Sequence, residues 1–284
     1  MSWRDFVTLS KPGIVFGNVF AVVGGYYVGT NMTDWPVLLS LIVGSGAVIA
    51  ASCVINNYLD RDIDIHMKRT AKRPSVTGVI PPKVGMYYAA FLYVLGLGLL
   101  LWQTNALVAG LGAAAAVLYT AVYGYAKRRT PYATIIGAFP GAVPPVAGYA
   151  AATGQLDLGA LLLFLIMFCW QMPHFYALAV YRQQDYERAG VPIMPAAKGL
   201  ARTVWEIRFF GVAFIICCFL LSRLGYAGFM FGLGMTVLGF YWLAAMFSPD
   251  WRNKPDEVGR RVFKRSLLVL MCLNAFWVLS NVLL

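Results

Sequence analysis

Long apolar stretches recur along the whole chain, and they restrict its fold more than any other feature. Each is close to the length of about twenty residues that an α-helix needs to cross a bilayer. Nine are predicted, at residues 13–30, 36–56, 84–102, 106–125, 132–151, 158–181, 204–222, 225–246 and 265–284. A segment in lipid must satisfy its own backbone hydrogen bonds, so we expect an all-α, polytopic membrane bundle of nine helices, forming one domain over residues 1–284.

The basic residues are distributed unevenly between the two ends of these spans. The chain has 23 Lys and Arg against 12 Asp and Glu. Only Arg223 falls on the side of the odd-to-even connections, and the other 22 fall on the opposite side. Because basic loops stay in the cytoplasm, the N-terminus is predicted to be cytoplasmic. The net charge of +11 thus reflects membrane topology, and we expect no nucleic-acid partner.

Only about a dozen residues precede the first span, which is short for a transit peptide. We therefore expect a multi-pass protein of a bacterial inner (cytoplasmic) membrane, embedded in the lipid bilayer. The longer connections, which carry almost all the charge, lie on the predicted cytoplasmic side. Polar groups gather where binding and catalysis occur, so the functional site is expected on that side.

The first polar cluster follows the second span directly. Asn56, Asp60 and Asp64 are four residues apart and share one face of a helix, whereas Asp62 points away. Two carboxylates one turn apart repel each other unless a positive group lies between them, and Mg²⁺ prefers such oxygen ligands. A basic run follows at Lys68, Arg69, Lys72 and Arg73.

A second polar cluster lies on the sixth span. If the helix continues past Pro173, then His174, Tyr181 and Asp185 share a face. Asp185 would then lie at the cytoplasmic end, with His174 about 16 Å deeper. Polar side chains are unfavourable in lipid, so this face is expected to point into the bundle. His174 could equally be a hydrogen-bond partner between helices.

Together, two acidic helix ends with basic neighbours suit a metal–diphosphate complex better than either does alone. Carboxylates can hold Mg²⁺, the metal bridges phosphate oxygens, and Arg or Lys neutralises the remaining charge. The nearly uncharged bundle below offers room for a long apolar tail.

These motifs resemble those of the UbiA-type intramembrane prenyltransferases. The first motif is Asn56, Asp60 and Asp64 with Lys68-Arg69-Thr70-x-x-Arg73-Pro74. The second runs from Trp170-Gln171-Met172-Pro173-His174-Phe175 through Asp185-Tyr186-x-x-Ala189-Gly190-Val191-Pro192, and it is similar to the heme-farnesylating branch of that family. There are two departures. Asn57 stands where many members have a third acidic residue, and Tyr181 stands at the first of two positions that are often both aspartate.

The resemblance implies transfer of the farnesyl group of farnesyl diphosphate to a vinyl group of heme b, giving heme O. It implies one or two Mg²⁺ ions, heme b as a substrate, and heme A synthase or a terminal oxidase assembly as a partner. The predicted catalytic residues are Asp60, Asp64, Asp185 and Tyr181, of which the three aspartates bind metal. The predicted diphosphate ligands are Asn56, Lys68, Arg69, Arg73, Lys127, Arg128 and Arg182. The predicted heme-binding residues are His174, Gln171 and Trp170.

Further candidates and alternatives remain at this stage. Tyr58 and Tyr186 are predicted, with Tyr181, to face the allylic cation. His174 and His66 are candidate axial heme ligands. The alternatives are a related enzyme that prenylates a quinone precursor such as 4-hydroxybenzoate, a cation transporter, and a non-catalytic heme-binding subunit. Transport sites usually lie near the bilayer midplane, whereas these aspartates lie at one surface.

Overall fold

A computed structural model describes the backbone of residues 1–282 and the side chains of residues 1–279. Within these residues the chain forms helices and no β-strand. The α-helices are α1 (Trp3–Leu9), α2 (Pro12–Gly29), α3 (Trp35–Leu59), α4 (Arg61–Asp64), α5 (Pro74–Thr77), α6 (Pro82–Gln103), α7 (Ala106–Val117), α8 (Gly124–Ala126), α9 (Ala133–Thr153), α10 (Leu158–Tyr181), α11 (Gln183–Arg188), α12 (Met194–Lys198), α13 (Leu200–Arg223), α14 (Phe229–Met246) and α15 (Pro255–Val282). A π-helical segment, Leu118–Tyr123, joins α7 to α8.

The nine predicted spans are confirmed for the described part of the chain. They are α2, α3, α6, the continuous stretch Ala106–Ala126, α9, α10, α13, α14 and α15. The largest difference is that α15 begins at Pro255 and not at residue 265. Its first turns carry many charged residues, so their hydropathy hides the start of the helix. The end of the predicted ninth span, residues 283–284, lies outside the described residues.

The sixth span also differs from the prediction. The helix α10 does continue through Pro173, but it ends at Tyr181 because the backbone of Arg182 leaves the helical region (φ −116°, ψ 21°). Asp185 therefore lies on the short, separate helix α11. The assumption that His174 and Asp185 share one continuous helical face is wrong.

Side-chain caps start three of the spanning helices at the same end of the bundle. Asp34 accepts a hydrogen bond from the backbone N–H of Val37, and Asn105 and Asp157 cap α7 and α10 in the same way. Each cap satisfies one of the free N–H groups at a helix start. The only charged residues of these three short connections are the capping aspartates Asp34 and Asp157, whereas the loops at the opposite end are strongly charged.

Glycine allows two of the central helices to approach closely. A Cβ atom at Gly25 of α2 would overlap the carbonyl of Pro145 in α9, and a Cβ at Gly148 would overlap the carbonyl of Val22. Close contact through small residues is typical of helix pairs in membranes. The helix α10 packs between α9, α13 and α15 and has the most buried residues of the bundle.

The outer surface of the bundle is apolar at mid-height, with exposed side chains such as Phe91, Phe219 and Phe240. The loops at one end, by contrast, hold nearly all the charged residues and contact one another. We call this the basic end; it contains α1, the connection 60–81, α8, α11 and the start of α15. The site residues predicted from the sequence gather at this end and just below it.

Candidate active site

Two aspartates mark the point where the second spanning helix ends. Asp60 is the C-cap of α3 and also the N-cap of the one-turn helix α4, at whose end Asp64 lies. The backbone N–H of Asp64 donates to the carbonyl of Asp60, so both carboxylates lie one turn apart. Asn56, one turn below, donates through Nδ2 to Asp60 Oδ2 at 2.8 Å. Asp64 and Asn56 are both only 4% exposed.

Each carboxylate faces a cation from another part of the chain. Arg73 Nη1 lies 2.5 Å from Asp64 Oδ2, and Lys127 Nζ lies 2.5 Å from Asp60 Oδ1. Lys127 also donates to Asn56 Oδ1 at 2.7 Å. We call these five residues the inner cluster. Asn56, Asp64 and Lys127 are buried, and Asp60 and Arg73 are partly buried. An unpaired charge in these surroundings would be unfavourable, so the pairing is necessary.

The connection after α4 is folded so that Arg73 returns to Asp64. Thr70, almost fully buried, donates through Oγ1 to the carbonyl of Asp64, and the N–H of Arg73 donates to the carbonyl of Thr70. Pro74 then begins α5. Local hydrogen bonds, not a long regular element, therefore position this arginine.

Asp62 lies outside the inner cluster. Both of its carboxylate oxygens accept hydrogen bonds from Arg128 at 2.7 Å, and Arg128 also donates to the carbonyl of Leu59. The hydrogen bonds from Arg128 lower the pKa of Asp62 to about 2. Arg128, a predicted diphosphate ligand, is thus turned outward and ties the α8 end to the α3 end. Its neighbour Lys127 takes the inward position.

The turn between α1 and α2 brings a further lysine towards the inner cluster. Asn57 donates through Nδ2 to the carbonyl of Leu9 at 2.7 Å, which fixes the end of α1 against α3. Two residues later, Lys11 has a left-handed backbone (φ +53°), the only non-glycine residue of the described chain with a positive φ. Burial lowers the pKa of Lys11 to about 8, and Asp60 and Asp64 oppose the shift.

An aromatic pair lies beside the inner cluster. Tyr119 and Tyr123 stack at a centroid separation of 5.6 Å on the π-helical segment, and Lys127 Nζ lies 5.3 Å from the centre of the Tyr123 ring. Single π turns are frequent at functional sites. Tyr58, a predicted cation-stabilising residue, is used differently: its hydroxyl donates to the carbonyl of Ile80, and its ring fills the space left by Gly85.

The remaining predicted residues of the basic end line a second, outer pocket of about 690 Å³. Asp185 lies within it, 3.9 Å from Arg182 and 3.8 Å from Arg188. The lining residues are Lys68, Arg69, Tyr181, Arg182, Gln183, Gln184, Asp185, Glu187, Arg188 and Asp256. Lys68, Arg69 and Arg182, which are predicted to bind the diphosphate, line this pocket, and no residue of the inner cluster is among its lining residues.

The three predicted metal ligands, Asp60, Asp64 and Asp185, do not form one group. No group of three His, Cys, Asp or Glu side chains close enough for one metal ion occurs among the described residues. Asp60 and Asp64 form a pair, and Asp185 belongs to the outer pocket. The pair and the amide oxygen of Asn56 are still the hard oxygen donors that Mg²⁺ prefers. Asp60 Oδ1 is buried and faces the ammonium group of Lys127, so a metal ion bound to this oxygen would take the place of that ammonium.

The predicted heme-binding residues lie deeper, in the core around α10. His174 Nδ1 is 2.6 Å from Ser266 Oγ of α15, and the ring lies against Trp170 and Phe263. Ser266 Oγ donates to the carbonyl of Phe263, so it accepts a hydrogen bond from His174 Nδ1–H. This assigns the neutral tautomer with a lone pair on Nε2.

The other two deep residues hold helices together. Trp170 Nε1 donates to the carbonyl of Ser266, and Gln171 Nε2 donates to the carbonyl of Ala138 in α9. Gln171 fits against α9 only because Gly141 has no side chain. His66, the second candidate axial ligand, is exposed at the basic end.

Residues 18–268 match the model of the UbiA prenyltransferase family. The chain belongs to this family. It is a prenyltransferase. Among its relatives, protoheme IX farnesyltransferase 2 of Pseudomonas paraeruginosa is 40% identical over 276 residues, which cover 96% of this chain and 93% of the relative. Protoheme IX farnesyltransferase of Yersinia pestis is 40% identical over 277 residues, with the same coverage.

Solved structures of a synthase and of UbiA homologues have the same fold. A structure of digeranylgeranylglyceryl phosphate synthase aligns with a TM-score of 0.81, 18% identity and 99% of both chains. The UbiA homologue of Aeropyrum pernix K1 gives a TM-score of 0.75 at 18% identity, with 93% of this chain and 96% of the other. The homologue of Archaeoglobus fulgidus, solved with DMAPP and Mg²⁺, gives 0.67 at 16% identity, with 94% and 99%.

The candidate site of this prenyltransferase includes residues that the sequence analysis did not select. Lys11, Tyr119 and Tyr123 lie beside the inner cluster, but they are far from both motifs in sequence. Lys11 directly precedes the first span, and this position could have marked it as a candidate. Its charge was instead explained by membrane topology. No sequence pattern indicates the π-helical segment that presents the two tyrosines.

Proposed function

We propose that this prenyltransferase transfers the farnesyl group of farnesyl diphosphate to a vinyl group of heme b, giving heme O and diphosphate. The inner cluster carries the proposal, because buried carboxylates paired with Lys127 and Arg73 lie directly above an apolar bundle. The names of the two relatives, each covering 96% of this chain, support heme as the acceptor.

The diphosphate group lies at the inner cluster in this proposal. Asp60 and Asp64, with Asn56, would hold Mg²⁺, which would supply a counter-charge for the leaving diphosphate. Lys127 and Arg73 donate to phosphate oxygens and stabilise the negative charge that develops as the allylic C–O bond breaks. Asp185 as a third metal ligand stays a prediction.

The allylic cation forms below the diphosphate, where Tyr119 and Tyr123 present their rings. Aromatic faces attract a cation, and their packing keeps water away from it. The π electrons of the heme vinyl group form the new C–C bond to the farnesyl C1. Water adds to the resulting cation on the heme side and loses a proton, which gives the hydroxyethylfarnesyl group.

The proposed orientation puts the basic end in the cytoplasm of a bacterium, in the inner membrane. The concentration of lysine and arginine in the connections of that end supports this orientation. Farnesyl diphosphate would then reach the site with its charged head at the water side and its tail in the bundle. A link to heme A synthase or to a terminal oxidase assembly stays a prediction.

The test is mass analysis of heme extracted after incubation of the purified protein with heme b, Mg²⁺ and farnesyl diphosphate. Asp60→Asn and Asp64→Asn should each lower kcat/KM by about a hundredfold or more, because each removes a charge from the metal site. Asp62→Asn is the matched control in the same turn and should change it by less than about threefold. Farnesylation of 4-hydroxybenzoate but not of heme b would contradict the acceptor assignment.

We also propose that His174 Nε2 contacts the heme. Ligating histidines typically donate their other ring N–H to a neighbour, as His174 does to Ser266. His174→Ala should then shift the Soret band of heme bound to the purified protein. An unchanged spectrum, with heme still bound, would remove His174 from the acceptor site and leave it a packing residue between α10 and α15.

A further inference from the structure

The first turns of α15 have two different faces. Val258, Val262 and Ser266 are fully buried and point into the bundle. Arg261 and Lys264 are exposed, and a helix with 3.6 residues per turn places them on the opposite side. The outer face of these turns therefore carries charge that belongs neither to the inner cluster nor to the outer pocket.

Arg265, one turn after Arg261, connects this outer face to α14. Its Nη1 donates to the carbonyl of Tyr241 at 2.6 Å, and its guanidinium carbon lies 4.1 Å from the centre of the Tyr241 ring. The next residue, Trp242, is buried and donates through Nε1 to the carbonyl of Val262, which holds the two helices together behind the arginine. Stacking on a ring leaves the outer N–H groups of a guanidinium accessible. Arg265 is thus fixed at the outer seam between α14 and α15 with donor groups to spare.

Three cations lie together at this seam, and we call Arg261, Lys264 and Arg265 the seam patch. Within the described part of the chain, none of the three forms an ion pair with an Asp or Glu side chain. Glu257, one turn before Arg261, lies 3.7 Å from Lys254, and α14 has no charged residue along its length. Like charges on neighbouring turns of one helix repel each other, so the seam patch favours an anion.

Below the seam patch, the outer surface of both helices is apolar and exposed. Leu268 and Met271 of α15 are 47% and 45% exposed, and Val237 of α14 is 61% exposed. The uncharged part of α15 begins directly after Arg265, so the patch lies where this helix enters the bilayer. Long basic side chains at this depth extend towards the lipid headgroups. A ligand that matches this surface therefore has a negative head and an apolar tail.

We propose that the seam patch binds the phosphodiester group of an anionic phospholipid, whose acyl chains lie along α14 and α15. Arginine and lysine form charge-assisted hydrogen bonds with phosphate oxygens, and each cation near an anionic leaflet adds to the attraction. A choline lipid brings a positive charge of its own to the patch, so it binds more weakly. The topology rule explains why cations collect at the basic end, but not why three of them lie together above an exposed apolar strip. The site does not depend on which acceptor is prenylated.

The experiment is native mass spectrometry of the purified, delipidated protein, titrated with phosphatidylglycerol or with phosphatidylcholine of the same acyl chains. The test variant is Arg261→Gln/Lys264→Gln. The matched control is Lys83→Gln/Arg129→Gln, which removes the same charge from two exposed residues on separate elements of the basic end. A third variant, Arg261→Lys/Lys264→Arg, keeps the charge of the patch.

The wild type should bind phosphatidylglycerol with a Kd at least about tenfold below that for phosphatidylcholine. The test variant should reduce this ratio to less than about threefold. The control and the charge-retaining variant should keep the ratio within about twofold of the wild type. The thermal midpoint without lipid should be the same in all four proteins, because the substituted side chains are exposed.

An equal loss of lipid selectivity in the test variant and the control would overturn the inference, because the attraction would then come from the net charge and not from the seam patch. Displacement of bound phosphatidylglycerol by an equal concentration of inorganic phosphate would also overturn it and would assign the patch to a soluble anion. Displacement by farnesyl diphosphate alone would assign the patch to the prenyl substrate. None of these outcomes would affect the proposed transfer of the farnesyl group to heme b.

Discussion

A single half-buried lysine, Lys11, illustrates how much of the site depends on individual residues. Lys11 has a left-handed backbone that is unfavourable for any residue with a Cβ atom, and such conformations concentrate at functional sites. The Asn57 hydrogen bond to Leu9 holds the turn in place. The charges of Asp60 and Asp64 act on the Lys11 ammonium group, so we expect this lysine to assist diphosphate binding, and only while it is protonated.

We expect kcat/KM for farnesyl diphosphate to fall as the pH rises through about 8, where Lys11 loses its proton. Lys11→Arg should move this decline to higher pH, since a guanidinium stays charged. Lys11→Met should lower kcat/KM about tenfold near neutral pH. An unchanged alkaline limb in the arginine variant would assign the titration to another group.

The lowered pKa of Lys11 also affects the stability of the protein. The pKa of Lys11 is lower in the folded protein than in an unfolded chain, so the unfolded state binds more protons between pH 8 and about 10.5. The contribution of Lys11 to the free energy of unfolding therefore rises with pH in that window. Stability and activity respond to this lysine in opposite directions.

At the scale of helices, the contact between α2 and α9 depends on two glycines. Gly25→Ala and Gly148→Ala would each force a methyl group into a backbone carbonyl of the other helix. Backbone atoms cannot move aside as a side chain can, so each variant should lose about 1–3 kcal/mol of stability. Thermal unfolding in detergent measures this loss.

Gly17→Ala, on the same helix α2, is the control. A Cβ atom at Gly17 meets nothing within 4 Å. Alanine is also a better helix former, so this variant should be neutral or more stable by up to about 1 kcal/mol. Equal destabilisation at all three positions would mean that close packing between α2 and α9 is not what the glycines provide.

The spanning helices could be predicted from the sequence, because their length and apolar composition are local properties. The partners of the charged residues could not be predicted in the same way. Lys127 and Arg128 are adjacent in sequence, yet one pairs with Asp60 in the interior and the other with Asp62 outside. The π-helical turn before them alters the helical register, so a period of 3.6 residues does not assign their faces.

A local change in the backbone also explains why the position of Asp185 relative to α10 was predicted wrongly. Tyr181 and Asp185 are four residues apart, but the backbone turns at Arg182 and divides them between two helices. Because of this turn, Asp185 lies on α11 and not on the face of α10 that carries His174. Only tertiary structure reveals it, since neither motif contains a strong helix-breaking signal between residues 174 and 185.

For the molecule as a whole, the proposed substrate site draws its residues from several separate elements of the basic end. The inner cluster combines residues of α3 and α4, the 65–73 connection and the end of α8. Mg²⁺ together with a non-ionisable thio analogue of farnesyl diphosphate should therefore stabilise the wild type. At a ligand concentration of about a hundred times Kd, the free energy of unfolding should rise by about 2.7 kcal/mol, which is measured as a higher thermal midpoint.

Chelation of the metal with EDTA should abolish that stabilisation, and Asp60→Asn should show none of it. A cation transporter would behave differently: Mg²⁺ alone would stabilise it, and ion flux would appear in proteoliposomes without prenyl diphosphate. Flux that Asp60→Asn abolishes would contradict the assignment of the aspartates to a diphosphate site.

The pairing of Asp60 with Lys127 and of Asp64 with Arg73 has a consequence for the order of events. A divalent cation alone would displace two cations that then have no partner, and a diphosphate alone would displace two carboxylates. When both bind together, Mg²⁺ pairs with the two carboxylates and the diphosphate pairs with Lys127 and Arg73, so the charge stays balanced. Mg²⁺ and prenyl diphosphate should therefore bind with strong positive cooperativity. The two ion pairs of the protein should form again when Mg²⁺ and the released diphosphate leave.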